Sequence, residues 1–304
     1  MPTYSIITAV RDEAEALPRL ATALGRQTQL PERWVIVESG SRDETRAVAQ
    51  AIAVTYSWAR LVVLPPVGET ERGAPIVRSI HAGLESLELR PDIVVNVDAD
   101  VTMDTDYFER LVETFVREPR LGIASGSAWE PYNGRWRQRF VTGGTIWGAT
   151  RAYRWKCLQG VLPLVERHGW DGVDQLKARA RGWETKTVLD LPFWHHRPEG
   201  ARDGTRWAHW LANGDTAHFM GYRPSYLLFR MLYRMRRDRA AGALLVGYVA
   251  AALRRSPGLD DPAARAVLRG DQSLRKILDR RREALGTGRA RAGSEPASSP
   301  GGIV

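Results

Sequence analysis

A single cysteine, Cys157, stands in 304 residues, so no intramolecular disulfide and no cysteine-built metal cluster can hold this chain together. That usage fits a reducing compartment, and Cys157 itself reads as a small buried hydrophobe. Long apolar runs are missing too. The least polar stretch, Ala240 to Leu253, falls short of the ~20 residues that cross a bilayer, so no transmembrane helix is expected. The chain enters Tyr4-Ser5-Ile6-Ile7 without a basic n-region or a small-residue cleavage site. No secretory leader is expected, and the predicted location is the cytoplasm. Acids are in deficit: 44 Lys+Arg against 35 Asp+Glu leave a net charge of +9. That excess attracts an anionic partner, whether nucleic acid, a membrane surface or a phosphorylated ligand. There is no internal repeat.

What is present centres on Ile93-Val94-Val95-Asn96-Val97-Asp98-Ala99-Asp100. Continuous β-branched runs suit parallel strands covered on both faces, so this segment predicts a buried strand that delivers two acids to a sheet edge. Ligands of open α/β sheets bind beyond the carboxyl ends of strands, where two carboxylates can hold a hard divalent cation and a polar ligand. The plain alternative is that Asp98 and Asp100 begin a turn and cap the next helix. Other strands make the site reading stronger. Strands are predicted at Tyr4 to Val10, Trp34 to Val37 and Arg60 to Leu64, with helices over Glu13 to Leu24, over Glu44 to Val54, and through Ile76, Ile80 and Leu84. This order is that of an α/β fold with a mostly parallel sheet wound on both faces. It brings Asp12, Glu38 and Asp98/Asp100 to a common edge.

After a helix at Tyr107 to Val116 and a short strand at Leu121 to Ser127, the alternation ends. Trp129 to Trp155 is aromatic and Gly-rich with no clear period, and nine of the 11 tryptophans fall between Trp129 and Trp210. Indoles stack on sugars and bases, although each serves a core more often than a ligand. A basic helix at Leu176 to Arg181 follows Asp174, and a strand at Thr185 to Leu189 leads to His195-His196-Arg197. Beyond Arg206 the chain reads as helical and basic. Tyr226 to Arg239 interleaves Arg230, Arg234, Arg236, Arg237 and Arg239 with Leu227, Leu228, Met231, Leu232 and Met235. Such a helix lies on an anionic membrane surface or packs its apolar face on the preceding domain with its arginines in water. Gln272 to Leu285 has amphipathic helical spacing, and residues 286–304 are Gly/Ala/Ser/Pro-rich, the composition of a disordered tail. The division expected is 1–200, 201–285 and 286–304.

The order of motifs resembles the family 2 glycosyltransferases, inverting enzymes of the GT-A fold. Arg11-Asp12-Glu13 stands where that family has Asn-Glu after its first strand, with Asp for Asn. Glu38-Ser39-Gly40-Ser41-Arg42-Asp43 is similar to its Asp-x-Gly-Ser-x-Asp, His81-Ala82-Gly83-Leu84 to its Asn-x-Gly-Leu helix, and Tyr153-Arg154 to its Tyr-Arg segment. Asp98 and Asp100 match its Asp-x-Asp without change, while Val173-Asp174 retains one of its two catalytic acids. From Gly221-Tyr222-Arg223-Pro224 onward the chain is similar to one bacterial subgroup.

The resemblance implies a nucleotide-diphosphate sugar as donor, Mg²⁺ or Mn²⁺ as cofactor, and a glycan or lipid-linked acceptor in cell-surface glycan or glycolipid synthesis. Donor contacts fall to Arg11, Asp12, Glu13, Glu38, Gly40, Ser41, Arg78, His81 and Asp98. The metal falls to Asp100 with Asp98 and to one of the histidines, His196 being favoured over His195. Asp174 is implied as the general base, its alternative being an N-cap of the helix after it. Processive members carry transmembrane helices and Gln-x-x-Arg-Trp. Here Asp203-Gly204-Thr205-Arg206-Trp207 places Asp where Gln would stand, which implies a single-addition enzyme, and the segment from Tyr226 to Arg255 is expected to dock it peripherally at the inner face of the plasma membrane. Two competitors remain. A nucleotidyltransferase on a related fold needs a Gly-rich phosphate loop where Arg11-Asp12-Glu13-Ala14 stands. A nucleic-acid-binding protein needs an extended basic groove, yet the basic residues gather late in the chain, away from the strand-end acids, so no nucleic acid is expected.

Overall fold

A computed structural model describes residues 1–66, 73–139, 146–197, 205–236, 238–273 and 275–276. The expected tail and most of the helix read at Gln272 to Leu285 lie outside these residues, as do Asp203 and Gly204.

Strands β1 (Tyr4–Val10), β2 (Arg33–Glu38), β3 (Ala59–Val63) and β4 (Ile93–Val97) alternate with α1 (Leu17–Gly25), α2 (Thr45–Thr55) and α3 (Ala74–Glu85). All four strands run parallel, in the order β3-β2-β1-β4. Both of their faces are covered. Ile6, Trp34, Ile36 and Val95 pack with Leu17, Leu20 and Ile52 on one side, while Ile7, Val35, Val37 and Val94 pack with Val77 and Ile80 on the other. A strand buried on both faces has no use for polar alternation, which is why these segments read as unbroken apolar runs.

Beyond β4 the sheet becomes mixed. The chain continues through β5 (Val101–Met103), α4 (Tyr107–Arg117), β6 (Leu121–Tyr132), β7 (Arg135–Gln138), β8 (Thr150–Arg154), α5 (Trp155–Val161), α6 (Trp170–Ala180) and β9 (Glu184–His195). The order runs on as β4-β8-β6-β9-β5, with β7 on β6. β8 is antiparallel to both β4 and β6. The stretch without clear period therefore holds the end of β6, all of β7 and β8, and the start of α5. β6 and β9 both run past their expected ends, because each supplies the other's hydrogen-bonding partner as far as Trp129 and Trp194.

The C-terminal region is helical as expected: α7 (Arg206–Met220), α8 (Pro224–Met235), a 3-10 turn (Arg239–Gly242), α9 (Ala243–Leu253) and α10 (Pro262–Asp271). α7 and α9 touch backbone to backbone. A Cβ at Gly214 would meet the Leu244 carbonyl oxygen at 2.1 Å, and one at Gly247 would meet that of Leu211 at 2.1 Å. Leu227, Met231, Ala217 and Leu244 form a small core there. α10 joins this region to the sheet-bearing part, since Leu268 and Ala264 pack on Val173 and Leu176 of α6. Arg179–Asp271 at 2.5 Å and Arg181–Asp261 at 3.2 Å clamp the same two helices. No helix among the described residues is long and apolar enough to cross a membrane.

Candidate active site

Parallel pairing aligns the carboxyl ends of β2, β1 and β4, with Val10 opposite Glu38. Their following turns converge on one edge, as the order of strands and acids predicted. Asp12 sits in the left-handed region at φ 56°, a conformation Asp tolerates through local hydrogen bonds. Its backbone N–H donates to Ser41 Oγ (3.1 Å), and its carboxylate accepts from Arg42 N–H (2.7 Å). Glu38 is buried and accepts from Ser41 N–H at 2.5 Å. Gly40, at φ 83°, presses on Pro66, where a Cβ would come within 2.9 Å. The β1 and β2 turns thus brace each other around a pocket rim of backbone and carboxylate.

The third group lies after β4. Asp98 takes its place through its N–H on the Ala149 carbonyl (2.9 Å). Asp100 directly precedes β5, which pairs with the end of β9 so that Val101 stands opposite His195. Three ligand atoms, one each from Asp98, Asp100 and His195, lie within 4.8 Å of one another. His195 Nε2 is 3.3 Å from Asp100, and its Nδ1 is 3.4 Å from Glu130. Arg197 chelates Glu13 through two bonds of 3.1 and 2.9 Å and stands 3.6 Å from Asp100.

Burial and the nearby Asp100 charge push the Asp98 carboxyl up to about 6. Burial also opposes the Asp100 charge, but the His195 hydrogen bond and the His195 and Arg197 charges outweigh it and hold that carboxyl below its usual range. For His195, burial favours the neutral ring, yet hydrogen bonds to Asp100 and Glu130 win and raise it to about 10. Two carboxylates and an imidazole in this space match the donor set of Mn²⁺ or Mg²⁺, and a cation relieves the repulsion that raises Asp98.

His196 does not share this position, which corrects the preference drawn from the resemblance. His196 follows the last residue of β9, and its side chain finds other partners than His195 does. His196 Nε2 pairs with Thr102 Oγ1 at 2.8 Å, and its ring meets Trp136 edge-on. It lines a separate hollow of about 540 Å³ with Arg19, Arg26, Met103 and Trp194.

Asp174 lies inside α6 rather than before it, so the N-cap alternative is excluded. The carboxylate is buried with the fully buried Arg151, accepting from Arg151 Nη2 (2.5 Å) and Nε (3.0 Å) and from the Tyr153 hydroxyl. Burial pushes its pKa up to about 6 against the opposing Arg151 charge. Three residues earlier, Asp171 is only half-buried, in the first turn of α6, with its carboxylate on its own helix start at Gly172 N–H (3.0 Å). Its backbone carbonyl receives Arg151 Nη2 at 2.7 Å. Arg151 thus links this acid to β8, the strand beside β4. Asp171 is not among the residues that the sequence motifs single out. A signal was available in its place one turn ahead of the apolar-flanked Asp174.

Arg78 and His81 are held elsewhere. Arg78 is exposed and bonded to Glu166 (2.6 Å), and His81 accepts the Leu164 N–H (3.2 Å), so both tie α3 to the segment after α5. Arg11 is half-buried in the turn after β1.

The fold is that of the GT-A glycosyltransferases, and solved structures share it. The mannosyltransferase PcManGT of Pyrobaculum calidifontis, in complex with GDP-Man and Mn²⁺, matches with a TM-score of 0.57 at 16% identity, over 95% of this chain and 86% of that one. GalNAc-T7 with UDP, GalNAc and Mn²⁺ matches at 0.54 and 12%, over 70% and 47%. TarS 1-349 of S. aureus with UDP matches at 0.50 and 16%, over 69% and 65%. At such identities the likeness concerns the fold. No curated protein matches the sequence. The chain belongs to glycosyl transferase family 2, whose model matches residues 5–229, and it is a glycosyltransferase.

Proposed function

We propose that the protein transfers a sugar, with inversion, from a nucleotide-diphosphate donor to a hydroxyl of a glycan or lipid-linked acceptor, using Mg²⁺ or Mn²⁺. The observation that carries this reading is the Asp98–Asp100–His195 cluster at the edge where β1 and β2 also end. A divalent cation held there neutralises the departing diphosphate. Asp100 and His195 serve as ligands, with Asp98 turned to the cation or the donor ribose. Glu38 accepts from the base, and Arg11, Asp12, Gly40 and Ser41 border the nucleotide. Glu13 acts through Arg197, which it aims at the diphosphate side of Asp100. Arg78 and His81 contribute by positioning α3 rather than by direct contact.

The acceptor proton needs a base with a free oxygen. Asp174 has its carboxylate committed to Arg151 and Tyr153, so the role passes to Asp171, and Asp174 becomes a positioning residue. For location we propose a cytoplasmic enzyme docked on the inner face of the plasma membrane, with a part in cell-surface glycan or glycolipid synthesis. Leu228, Phe229, Leu232, Tyr233 and Met235 of α8 and Val246, Val249 and Leu253 of α9 are exposed, beside Arg230, Arg234 and Arg236. Apolar groups flanked by arginines suit an anionic bilayer surface.

The test is a mass-spectrometric screen of nucleotide sugars for Mn²⁺-dependent turnover, with Asp100→Ala as the control. The reading expects one donor to be consumed by the wild type and none by the variant. Equal turnover by the two at saturating Mn²⁺ would refute it.

A further inference from the structure

A pocket of about 660 Å³ opens among the C-terminal helices, lined by His218, Phe219, Gly221, Tyr222, Arg223, Pro224, Tyr248, Ser256, Gly258, Arg265 and Arg269. Three of these residues are arginines and none is an acid. Among the described residues no carboxylate pairs with Arg223, Arg265 or Arg269, whereas Arg179, Arg181 and Arg254 nearby are all matched to aspartates. Three unneutralised guanidinium groups around one hollow repel each other unless something anionic shares it.

The backbone points the same way. The pocket lies where α7 ends and α8 begins, so carbonyl acceptors and N–H donors both reach it. The acceptors are occupied. Tyr222 N–H bonds Ala217 O, Gly221 N–H bonds His218 O, Leu259 N–H bonds Phe219 O, and the Tyr248 hydroxyl bonds Tyr222 O. The start of α8, at Arg223 and Pro224 of the lining, has no side-chain cap.

Two buried polar atoms also lack partners, one on the lining residue His218 and one on Gln272, which is bonded to the lining residue Arg223. Gln272, only 5% exposed, accepts the Arg223 N–H through Oε1 (2.9 Å) and leaves its amide Nε2 unbonded. His218 Nδ1 is likewise buried and unbonded. An unpaired buried polar atom is costly, so each marks polar demand that the protein alone leaves unmet beside the hollow. Arginine forks match phosphate oxygens, and the rings of Tyr222, Tyr248 and Phe219 offer flat walls to whatever the phosphate carries.

We infer that this pocket is a binding site for a phosphate or diphosphate group, separate from the nucleotide site at the strand edge and independent of metal. The same chemistry has two sources, a soluble phosphorylated compound or a lipid headgroup.

The test is calorimetric titration of the full chain with inorganic pyrophosphate in buffer containing EDTA, which silences the cation site. Saturable binding is expected for the wild type and, unchanged, for Asp100→Ala. The double variant Arg223→Gln/Arg269→Gln alters two exposed side chains and should keep the wild-type melting curve while binding at least ~10-fold more weakly. The corresponding Lys pair should recover part of the loss. Absence of saturable binding, or a double variant that binds like the wild type, overturns the assignment. Vesicles of phosphatidylcholine with and without phosphatidic acid then identify the source. Displacement of pyrophosphate by the acidic vesicles alone marks a lipid headgroup as the ligand, and its absence marks a soluble one.

Discussion

Metal binding to this site should be coupled to proton release. His195 is held at about 10 by Asp100 and Glu130 despite its burial. At pH 7 its ring is therefore protonated by roughly 10³ to one, and an imidazolium cannot ligate a cation. Each bound Mn²⁺ must expel that proton, so the apparent Kd should fall about tenfold per pH unit between about pH 6.5 and 8.5. Below about pH 6 the Asp98 carboxyl also takes up a proton, and the slope should steepen toward about two decades per unit. Calorimetric titration of Mn²⁺ in two buffers of different ionisation enthalpy measures both quantities, with about one proton released near pH 7.5. His195→Gln should bind more weakly at high pH, with a flat profile above about pH 6.5. A wild-type Kd that moves less than ~2-fold between pH 6.5 and 8.5, or no proton release, would refute His195 as a ligand.

Asp171→Asn should lower transfer by at least ~10² with donor affinity and melting temperature unchanged; a parallel fall in donor binding would remove it as the base. Asp174→Ala leaves the buried Arg151 without its counter-ion, a loss of about 3–5 kcal/mol readable as a lowered urea midpoint, and a midpoint within error of the wild type would contradict that pairing. Sedimentation with anionic liposomes at low salt should pull the protein down through α8 and α9, and high salt should release it. Equal failure to bind anionic and neutral liposomes would mean that these helices serve only to pack on the catalytic domain.

The first half of the fold was readable because its physics is local. β1 has the bounds its apolar run predicted, and α2 and α4 lie within a residue of theirs. The second half was not, because β6, β7 and β8 gain their partners across long sequence separations and carry Gly and Trp in place of β-branched runs. α10 was missed although Asp261-Pro262 marks its start: the Asp261 carboxylate accepts Ala264 N–H (2.8 Å), with Pro at the first turn. In the site, the Asp-x-Asp pair and Glu38 could be placed from strand ends alone. The choice between His195 and His196 needed the strand to extend to His195, since alternation assigns faces only once the strand's end is known. Asp174 could not be told from Asp171 by motif order. Its burial follows from sharing an inward helix face with Trp170 and Val173, and that face is set by Arg151, which arrives from 23 residues away.

The side-chain-free seam between α7 and α9 has a mechanical consequence. With carbonyl oxygens standing where Gly214 and Gly247 would carry a methyl, no layer of side chains separates the two helices at that crossing, and a push on one would displace the other. α7 is in turn pinned to the segment that opens α6: Asp215 holds Arg167 at 2.5 Å, and Thr216 holds the His168 ring at 3.0 Å and its carbonyl at 3.2 Å. Three residues on stands Asp171. Force applied to the exposed apolar face of α9 would thus reach Asp171 through this seam, and a methyl at Gly247 would push the two helices apart.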